Sequence, residues 1–361
     1  MRLRARLFIV ATAVIVLAAG CSNPPSSANT VDGARVATQA PLLVGATPTG
    51  SLSPTPSRSA SPSPRPASTT SPAAHVCSIL PADNVWRADV SHLPVLAKSA
   101  TYVASIGTTA GVHADFGSGQ YQGASIGIPI TTVSATQAKV KVTFQYASES
   151  DRGPYPIPKS PAIEGGASSS GDRHVILYDP AHCMDYELFA TYPKSGGWTA
   201  GSGAIFDLAS NKLRPAGWTS ADAAGLPILP GLVTWADVKS GHINHAIRVT
   251  VPSTQASYLW PARHQASSSH DTSLPPMGLR LRLKASVDIS HLPSQAKIVA
   301  AAMKKYGVIV ADNGSPWFIS GAPDSHFNND ALHALGALTG KDFEAVDESS
   351  LMVSQNSGQA R

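Results

Sequence analysis

The chain has 361 residues and a formal net charge of +4, from 27 basic and 23 acidic residues. Six of the basic residues but only one acidic residue precede residue 76, so the rest of the chain is close to electrically neutral. A protein that binds nucleic acid through its phosphates needs a basic patch on its folded part. The composition therefore predicts that nucleic acid is not a partner of this protein.

The N-terminus has the pattern of a bacterial lipoprotein signal peptide. Three arginines precede an uncharged run, residues 7–19, which is shorter than the roughly 20 residues that a membrane span needs. The run ends Leu17-Ala18-Ala19-Gly20-Cys21 and resembles the bacterial lipobox, although its leucine lies four residues before the cysteine rather than three. We expect residues 1–20 to be removed and Cys21 to carry a lipid. That lipid would anchor the protein to the cell membrane, facing outside the cytoplasm, with the bilayer as its partner. Secretion without a lipid is the alternative.

Residues 21–75 are rich in Ser, Pro, Thr and Ala and contain few large apolar side chains. Such a segment cannot bury enough surface to offset its ordering entropy, so we predict a disordered stalk. Residues 76–361 contain neither a second linker nor an internal repeat and are long enough for one large domain. We therefore predict a single globular domain on a flexible stalk.

The chain has three cysteines. If Cys21 takes the lipid, Cys77 and Cys183 remain as an even pair in an oxidising compartment. We predict a disulfide bond between them, and two buried free thiols are the alternative.

Alternation of apolar and polar residues with a period of two predicts strands throughout the folded part. In residues 139–146 one face is apolar. In residues 278–284 the leucines are predicted to face the core, and Arg280, Arg282 and Lys284 to face solvent. Further strands are predicted at 173–178, 184–192, 204–208 and 243–251.

Two helices are predicted near the C-terminus, at residues 294–306 and 329–338. Between them, Asn313-Gly314 separates two short apolar runs, which predicts a β-hairpin. Together these elements predict a mainly β fold, an antiparallel β-sandwich or jelly-roll-like domain with a small C-terminal α/β addition.

Carboxylates close to aromatic residues suggest a site that processes sugars. A Pro-rich loop leads to Glu164, and the predicted strand 184–192 places Asp185, Glu187 and Phe189 on one face. A glycosidase needs one protonated carboxyl and one ionised carboxylate, and aromatic rings stack on sugars. We predict Glu164 and Glu187 as the catalytic pair. The secondary candidates are Asp115, Asp151, Asp207 and Asp222, and the predicted substrate-binding residues are Tyr155, Phe189 and Trp218.

Neither a metal site nor a cofactor is predicted. His113 and Asp115 could share a strand face, but the sequence shows no third ligand for a metal. Residues 123–127 match the Gly-x-Ser-x-Gly pattern of a serine hydrolase, but the residues that follow are poor helix formers, whereas that motif needs a helix after the serine.

A succession of motifs resembles a group of uncharacterised secreted bacterial proteins. The resemblance covers about residues 77–347 and implies one domain, but it implies no activity and no catalytic residue. Two classes of function therefore stay open: an enzyme acting on extracellular or cell-wall glycan, or a non-catalytic envelope protein that binds a polysaccharide or a partner. The motifs are His113-Ala114-Asp115-Phe116-Gly117, Ile163-Glu164-Gly165-Gly166, Asp172-Arg173-His174-Val175, residues 201–207, 218–232 and 275–284, and Ala311-Asp312-Asn313-Gly314-Ser315.

Overall fold

The computed structural model describes residues 77–361, which belong to one compact unit. The predicted signal peptide, the predicted lipidation site Cys21 and the predicted stalk up to residue 75 lie outside the described residues. The predicted mainly β class is confirmed, because the described chain forms many short strands and few helices. In residues 77–361, no helix combines the length and the apolar character that crossing a bilayer requires.

The helices and strands are short and are joined by many turns. The helices are α1 (Ser99–Ile106), α2 (Trp235–Ser240), α3 (Ser294–Lys305) and α4 (Asn329–His333), so both predicted helices are present and the second is shorter than predicted. The strands are β1 (His113–Asp115), β2 (Gln120–Tyr121), β3 (Ala124–Ser125), β4 (Ile130–Thr132), β5 (Val142–Phe144), β6 (Val175–Asp179), β7 (Met184–Phe189), β8 (Tyr192–Lys194), β9 (Gly197–Ala200), β10 (Ser202–Asp207), β11 (Ile247–Val251), β12 (Arg280–Leu283), β13 (Val308–Asn313), β14 (Phe318–Ser320) and β15 (Phe343–Ala345).

The largest sheet has six strands in the order β1-β14-β11-β13-β12-β15. Its pairs β1/β14 and β11/β13 are parallel and the others are antiparallel, so the sheet is mixed rather than purely antiparallel. Helix α3 buries Val299, Ala300 and Met303 in the same core as the inward residues of this sheet. The turn before β13 uses Gly307 at φ +70°, where a Cβ atom would lie 2.4 Å from the carbonyl oxygen of Leu281.

A second sheet, β10-β7-β6-β4, separates two apolar cores. Because side chains alternate along a strand, Ile176 of β6 enters the main core while Val175 and Leu177 enter a smaller one. The three-stranded sheet β5-β9-β8 covers that smaller core with side chains such as Phe144 and Trp198. The smaller core is therefore enclosed between two sheets.

The predicted hairpin around Asn313-Gly314 does not form. Strands β13 and β14 are both present, but β11 lies between them. Val249 of β11 is opposite Val310 on one side and Ile319 on the other. The local turn signal is overridden because β11 is apolar enough to occupy the centre of the sheet, where both of its edges are paired.

The prediction that the arginines of β12 face solvent is wrong. Arg280 is 0% exposed, and its guanidinium donates to Glu348 and to the carbonyl oxygens of Tyr306 and Val85. Arg282 is also buried and contacts Glu344. Other segments cover both faces of this strand, so each guanidinium is satisfied by buried acceptors instead of by water.

The predicted disulfide between Cys77 and Cys183 is present, with the two Cα atoms 5.3 Å apart. It joins the first described residue to the turn before β7 and closes a sequence separation of 106 residues. The bond therefore fixes the start of the domain against the sheet that separates the two cores.

We predict that Cys183→Ser lowers the thermal midpoint under non-reducing conditions. Opening a loop of this size should remove about 2–4 kcal/mol of unfolding free energy, since the cross-link restricts the unfolded chain. Calorimetry of the wild type with reductant should reproduce the midpoint of the variant. An unchanged midpoint in the variant, or detection of two free thiols in the oxidised wild type, would contradict the prediction.

Candidate functional site

A buried arginine on β11 connects residues from distant parts of the chain. Arg248 is 4% exposed, and its guanidinium donates two hydrogen bonds to Asp222, at 2.9 and 2.8 Å. It also donates to the Ser320 hydroxyl at 2.8 Å and to the Asp312 carboxylate at 3.2 Å. Asp115 ends β1 directly opposite Ser320. Residues from distant motifs of the sequence therefore lie around one guanidinium.

Beside this arginine, Glu164 and His174 form a tight pair. Glu164 Oε2 lies 2.6 Å from Nδ1 of His174, and the Glu164 amide donates to the His174 carbonyl at 3.0 Å. Gly165 and Gly166 turn the chain after Glu164 with φ values of +68° and +81°, a backbone conformation that strongly favours glycine. The loop that the sequence singled out thus places its carboxylate against β6.

The protonation of this pair follows from its contacts. Nε2 of His174 lies 3.0 Å from the carbonyl oxygen of Ala221, so both ring nitrogens face acceptors and both carry protons. Burial by itself lowers the pKa of His174, but the Glu164 carboxylate outweighs burial and raises this pKa to about 9. Burial likewise raises the pKa of Glu164, but His174 outweighs it and holds this pKa below its usual value. Glu164 is therefore an ionised carboxylate, a quarter exposed.

A metal ion is the alternative occupant of this corner. Glu164, Asp172 and His174 each offer a ligand atom, and these atoms lie within 4.8 Å of one another. However, Nδ1 of His174 already faces Glu164 and Nε2 faces a carbonyl oxygen. A metal would have to displace a proton from an imidazolium that its neighbour stabilises. The geometry favours an ion pair at this position.

The pKa values of two other carboxyl groups of the cluster are shifted in the opposite direction, above their usual values. Burial, and then the charge of Asp222, raises the pKa of Asp312 to about 6, even though Arg248 contacts it. Arg248 is less effective on Asp312 because Asp222 takes two of its hydrogen bonds. Partial desolvation, and then the charge of Glu164, raises the pKa of Asp115. The cluster thus combines an ionised Glu164 with carboxyls that hold protons more readily.

The cluster borders an open cleft of about 420 Å³, which we call the acidic cleft. The carboxyls of Glu149, Asp172 and Asp312 line it, together with the rings of Tyr146 and Phe189. Neither lysine nor arginine is among the described residues that line it, and the basic side chain at its edge is His264, 3.7 Å from Glu149. The cleft therefore combines negative charge with aromatic surface.

Glu187, the predicted partner of Glu164, is enclosed in the protein interior and does not line the acidic cleft. It is 0% exposed, and its Oε1 accepts hydrogen bonds from the amides of Ile228 and Leu229, at 2.7 and 2.9 Å. Asp185 lies beside it on the covered face of β7, also 0% exposed, and burial raises the pKa of both groups. A carboxyl enclosed between a sheet and the main core cannot reach a polymer. The structure therefore does not support pairing Glu187 with Glu164, and Glu187 instead holds the 228–229 turn.

The other predicted residues divide between core and surface. Tyr155 is 0% exposed and packs edge-on against Phe144 and Tyr186, so it offers no face to a ligand. Asp222 is 0% exposed, and its carboxylate accepts hydrogen bonds from Arg248. Phe189 lines the acidic cleft. Asp151, Asp207 and Trp218 meet in a separate groove.

The sequence-based prediction missed His174, Arg248, Asp172 and Asp312. His174, Asp172 and Asp312 lie in motifs that served only to support the family resemblance. Arg248 lies on a strand that the alternation of apolar and polar residues predicts. The sequence feature that could have identified them is the presence of ionisable residues within otherwise apolar segments, such as Val308–Asn313. Ionisable side chains in an apolar strand are rare without a partner, so their presence in several such segments indicates a buried polar cluster.

We predict that the Glu164–His174 pair makes the free energy of unfolding depend on pH. The raised pKa of His174 means that its contribution is fully present below about pH 6.5 and is lost as the pH rises through about 9. The lowered pKa of Glu164 means that its contribution is lost in acid. Denaturant unfolding of the wild type and of His174→Gln should therefore differ by about 3 kcal/mol near pH 5.5, and by much less above about pH 9.5. A difference that does not change with pH would contradict the ion pair.

Comparison with known proteins leaves this site to be interpreted from its own residues. The chain matches no protein-family model, and searches of curated proteins and of solved structures found no match. Neither a family nor an activity is therefore transferred to it. The geometry consists of an ionised Glu164 and a protonatable Asp312 near one buried Arg248, with Asp312 lining the open acidic cleft.

Proposed function

We propose that this protein hydrolyses glycosidic bonds in an extracellular or cell-wall glycan, and that it does so while anchored to the cell membrane by a lipid on Cys21. The observation that carries the proposal is the placement of two carboxyls in one cluster with different partners, Glu164 against His174 and Asp312 against Arg248. These surroundings lower the pKa of Glu164 and raise the pKa of Asp312. Carboxyl groups whose environments separate their pKa values are what a glycosidase uses as base and acid.

The two carboxyls take different roles in this proposal. Asp312, with a pKa of about 6 and its side chain partly exposed at the acidic cleft, donates a proton to the leaving glycosidic oxygen. Glu164 is ionised and partly exposed, and it acts as the base or the nucleophile on the sugar. Arg248 and His174 hold these carboxyls in place without leaving the protein interior.

The charge of the acidic cleft narrows the class of substrate. Glu149 and Asp172 would repel a polyanionic chain such as a polyuronate, whereas an uncharged sugar or a protonated amino sugar meets no such repulsion. Tyr146 and Phe189 supply aromatic surface for stacking on a sugar ring. We therefore propose neutral glycans or amino-sugar glycans as substrates.

We predict that Glu164→Gln and Asp312→Asn each lower kcat by about 100-fold or more, with little loss of binding, since a positioned acid or base contributes about that much. The kcat/KM of the wild type should fall above about pH 6, where Asp312 loses its proton. The assay is release of reducing ends from neutral and amino-sugar polysaccharides.

Two matched variants serve as controls for this experiment. Glu187→Gln should lower thermal stability because Glu187 holds the 228–229 turn, but it should leave kcat of the folded protein close to the wild type. Asp330→Asn changes an exposed carboxyl that lines neither the acidic cleft nor the groove of Asp207 and Trp218, and should also keep kcat. Binding of polysaccharide without any turnover in the wild type would favour the non-catalytic alternative.

We predict that Cys21→Ala moves the protein from the membrane fraction to the soluble fraction. The acyl chains are the proposed anchor, each buried CH₂ contributing roughly 0.8 kcal/mol to membrane binding. Fractionation with immunoblotting measures the shift, and mass spectrometry of the mature N-terminus detects the lipid. Membrane retention of the variant, or an N-terminus without lipid, would contradict this anchor.

A further inference from the structure

A second depression lies beside the acidic cleft, and three residues that the sequence singled out meet in it. We call it the aromatic groove. It has a volume of about 780 Å³ and is lined by Asp151, Phe206, Asp207, Lys212, Arg214 and Trp218, among others. The charges that line it balance, two acidic against two basic, which distinguishes it from the acidic cleft.

One wall separates the aromatic groove from the acidic cleft. The wall consists of residues 146–151 and 214–219: Glu149 and Thr219 line the cleft, while Asp151 and Trp218 line the groove. Because these lining residues are one or two positions apart in the chain, the two depressions lie on opposite sides of the same two segments. A chain of sugars that passes over this wall would contact both depressions.

Arg214 makes the wall rigid. It is 7% exposed, and its guanidinium donates to the Asp151 carboxylate and to the Glu149 carbonyl, the latter at 2.8 Å, which ties one segment to the other. The same guanidinium donates to the Thr219 carbonyl at 2.8 Å within its own segment. The Thr219 amide donates across to the Glu149 carboxylate at 3.1 Å. The two segments are therefore held in one arrangement in the absence of a ligand.

The same arginine orients the aromatic rings of the groove. Its guanidinium carbon lies 5.8 Å from the ring centroid of Phe206 and 5.6 Å from that of Trp218. Both rings are partly exposed, and the exposed carboxylate of Asp207 follows Phe206 directly. Fixed rings beside exposed acceptors and donors are what binding of a sugar requires, since the sugar ring stacks on the aromatic face and its hydroxyls form hydrogen bonds.

From this geometry we infer that the aromatic groove is a second sugar-binding subsite, which takes uncharged residues of a glycan chain whose other end occupies the acidic cleft. The inference rests on the proposed function for its substrate class. It adds that the substrate is a chain long enough to cross the wall. Because the groove is lined by both acidic and basic side chains, a charged sugar of either sign would face a like charge there. The balanced charge of the groove therefore favours neutral sugars at this subsite.

The test measures binding by the full-length Glu164→Gln protein, so that turnover does not enter. Dextran, laminarin and arabinogalactan are the neutral polysaccharides, with glycol chitosan and pectin as cationic and anionic ones, and native gel retardation measures affinity. Trp218→Ala and Phe206→Ala should each weaken binding of a neutral polymer by about tenfold, as loss of a central aromatic contact does. Tyr121→Ala, an exposed ring that does not line the groove, is the matched control and should have no effect.

Thermal unfolding of each variant shows whether a loss of binding comes from a folding defect. The conservative variant Trp218→Phe keeps an aromatic ring, so it should fold and retain most of the binding. In the active protein, Trp218→Ala should raise KM for the polymer and leave turnover of short aryl glycosides unchanged. The inference would be overturned if none of the three neutral polymers retarded the Glu164→Gln protein in the gel. It would also be overturned if a neutral polymer retarded the Trp218→Ala and Tyr121→Ala proteins equally. A loss of aryl-glycoside turnover in Glu164→Gln is a separate result that bears on the proposed function alone.

Discussion

The buried guanidinium of Arg248 is the constraint on which the site depends. An arginine on a central strand is costly to desolvate unless charged and polar partners surround it. Asp222 provides two of its hydrogen bonds, and Ser320 and Asp312 provide the others. Since Asp222 belongs to the long apolar segment 218–232, satisfying the arginine also fixes where that segment lies against the main sheet.

The position of that segment determines the rest of the site. Its Ala221 carbonyl accepts from His174, which then stays doubly protonated and holds Glu164 ionised. Further along the same segment, the amides of Ile228 and Leu229 donate to the Glu187 carboxylate. The segment is therefore held by the Asp222 carboxylate, by the Ala221 carbonyl and by the amides of Ile228 and Leu229. This explains why most of its apolar residues are core while Trp218 remains at the surface.

Carboxyl groups with the same chemistry differ in this protein because their surroundings differ. Glu164 pairs with the His174 imidazolium, whereas Asp312 shares Arg248 with Asp222. Because of this sharing, the pKa of Asp312 stays above its usual value. Glu187 is enclosed and uses one oxygen to accept from backbone amides. The chemical type of a residue thus states what it can do, and its partners decide whether it acts as a base, an acid or a structural acceptor.

The sequence by itself determined the strand-rich class, the positions of most strands, the pairing of Cys77 with Cys183 and the turn that follows Glu164. These features depend on local periodicity, on an even pair of cysteines and on the turn chemistry of Gly165 and Gly166. Only the tertiary structure decided that β11 separates β13 from β14, that the arginines of β12 are buried, and that Glu187 is buried while Asp312 contacts Arg248. Each of those outcomes depends on which segment covers a given face, and neither periodicity nor residue type carries that information, because contacts between distant segments set it.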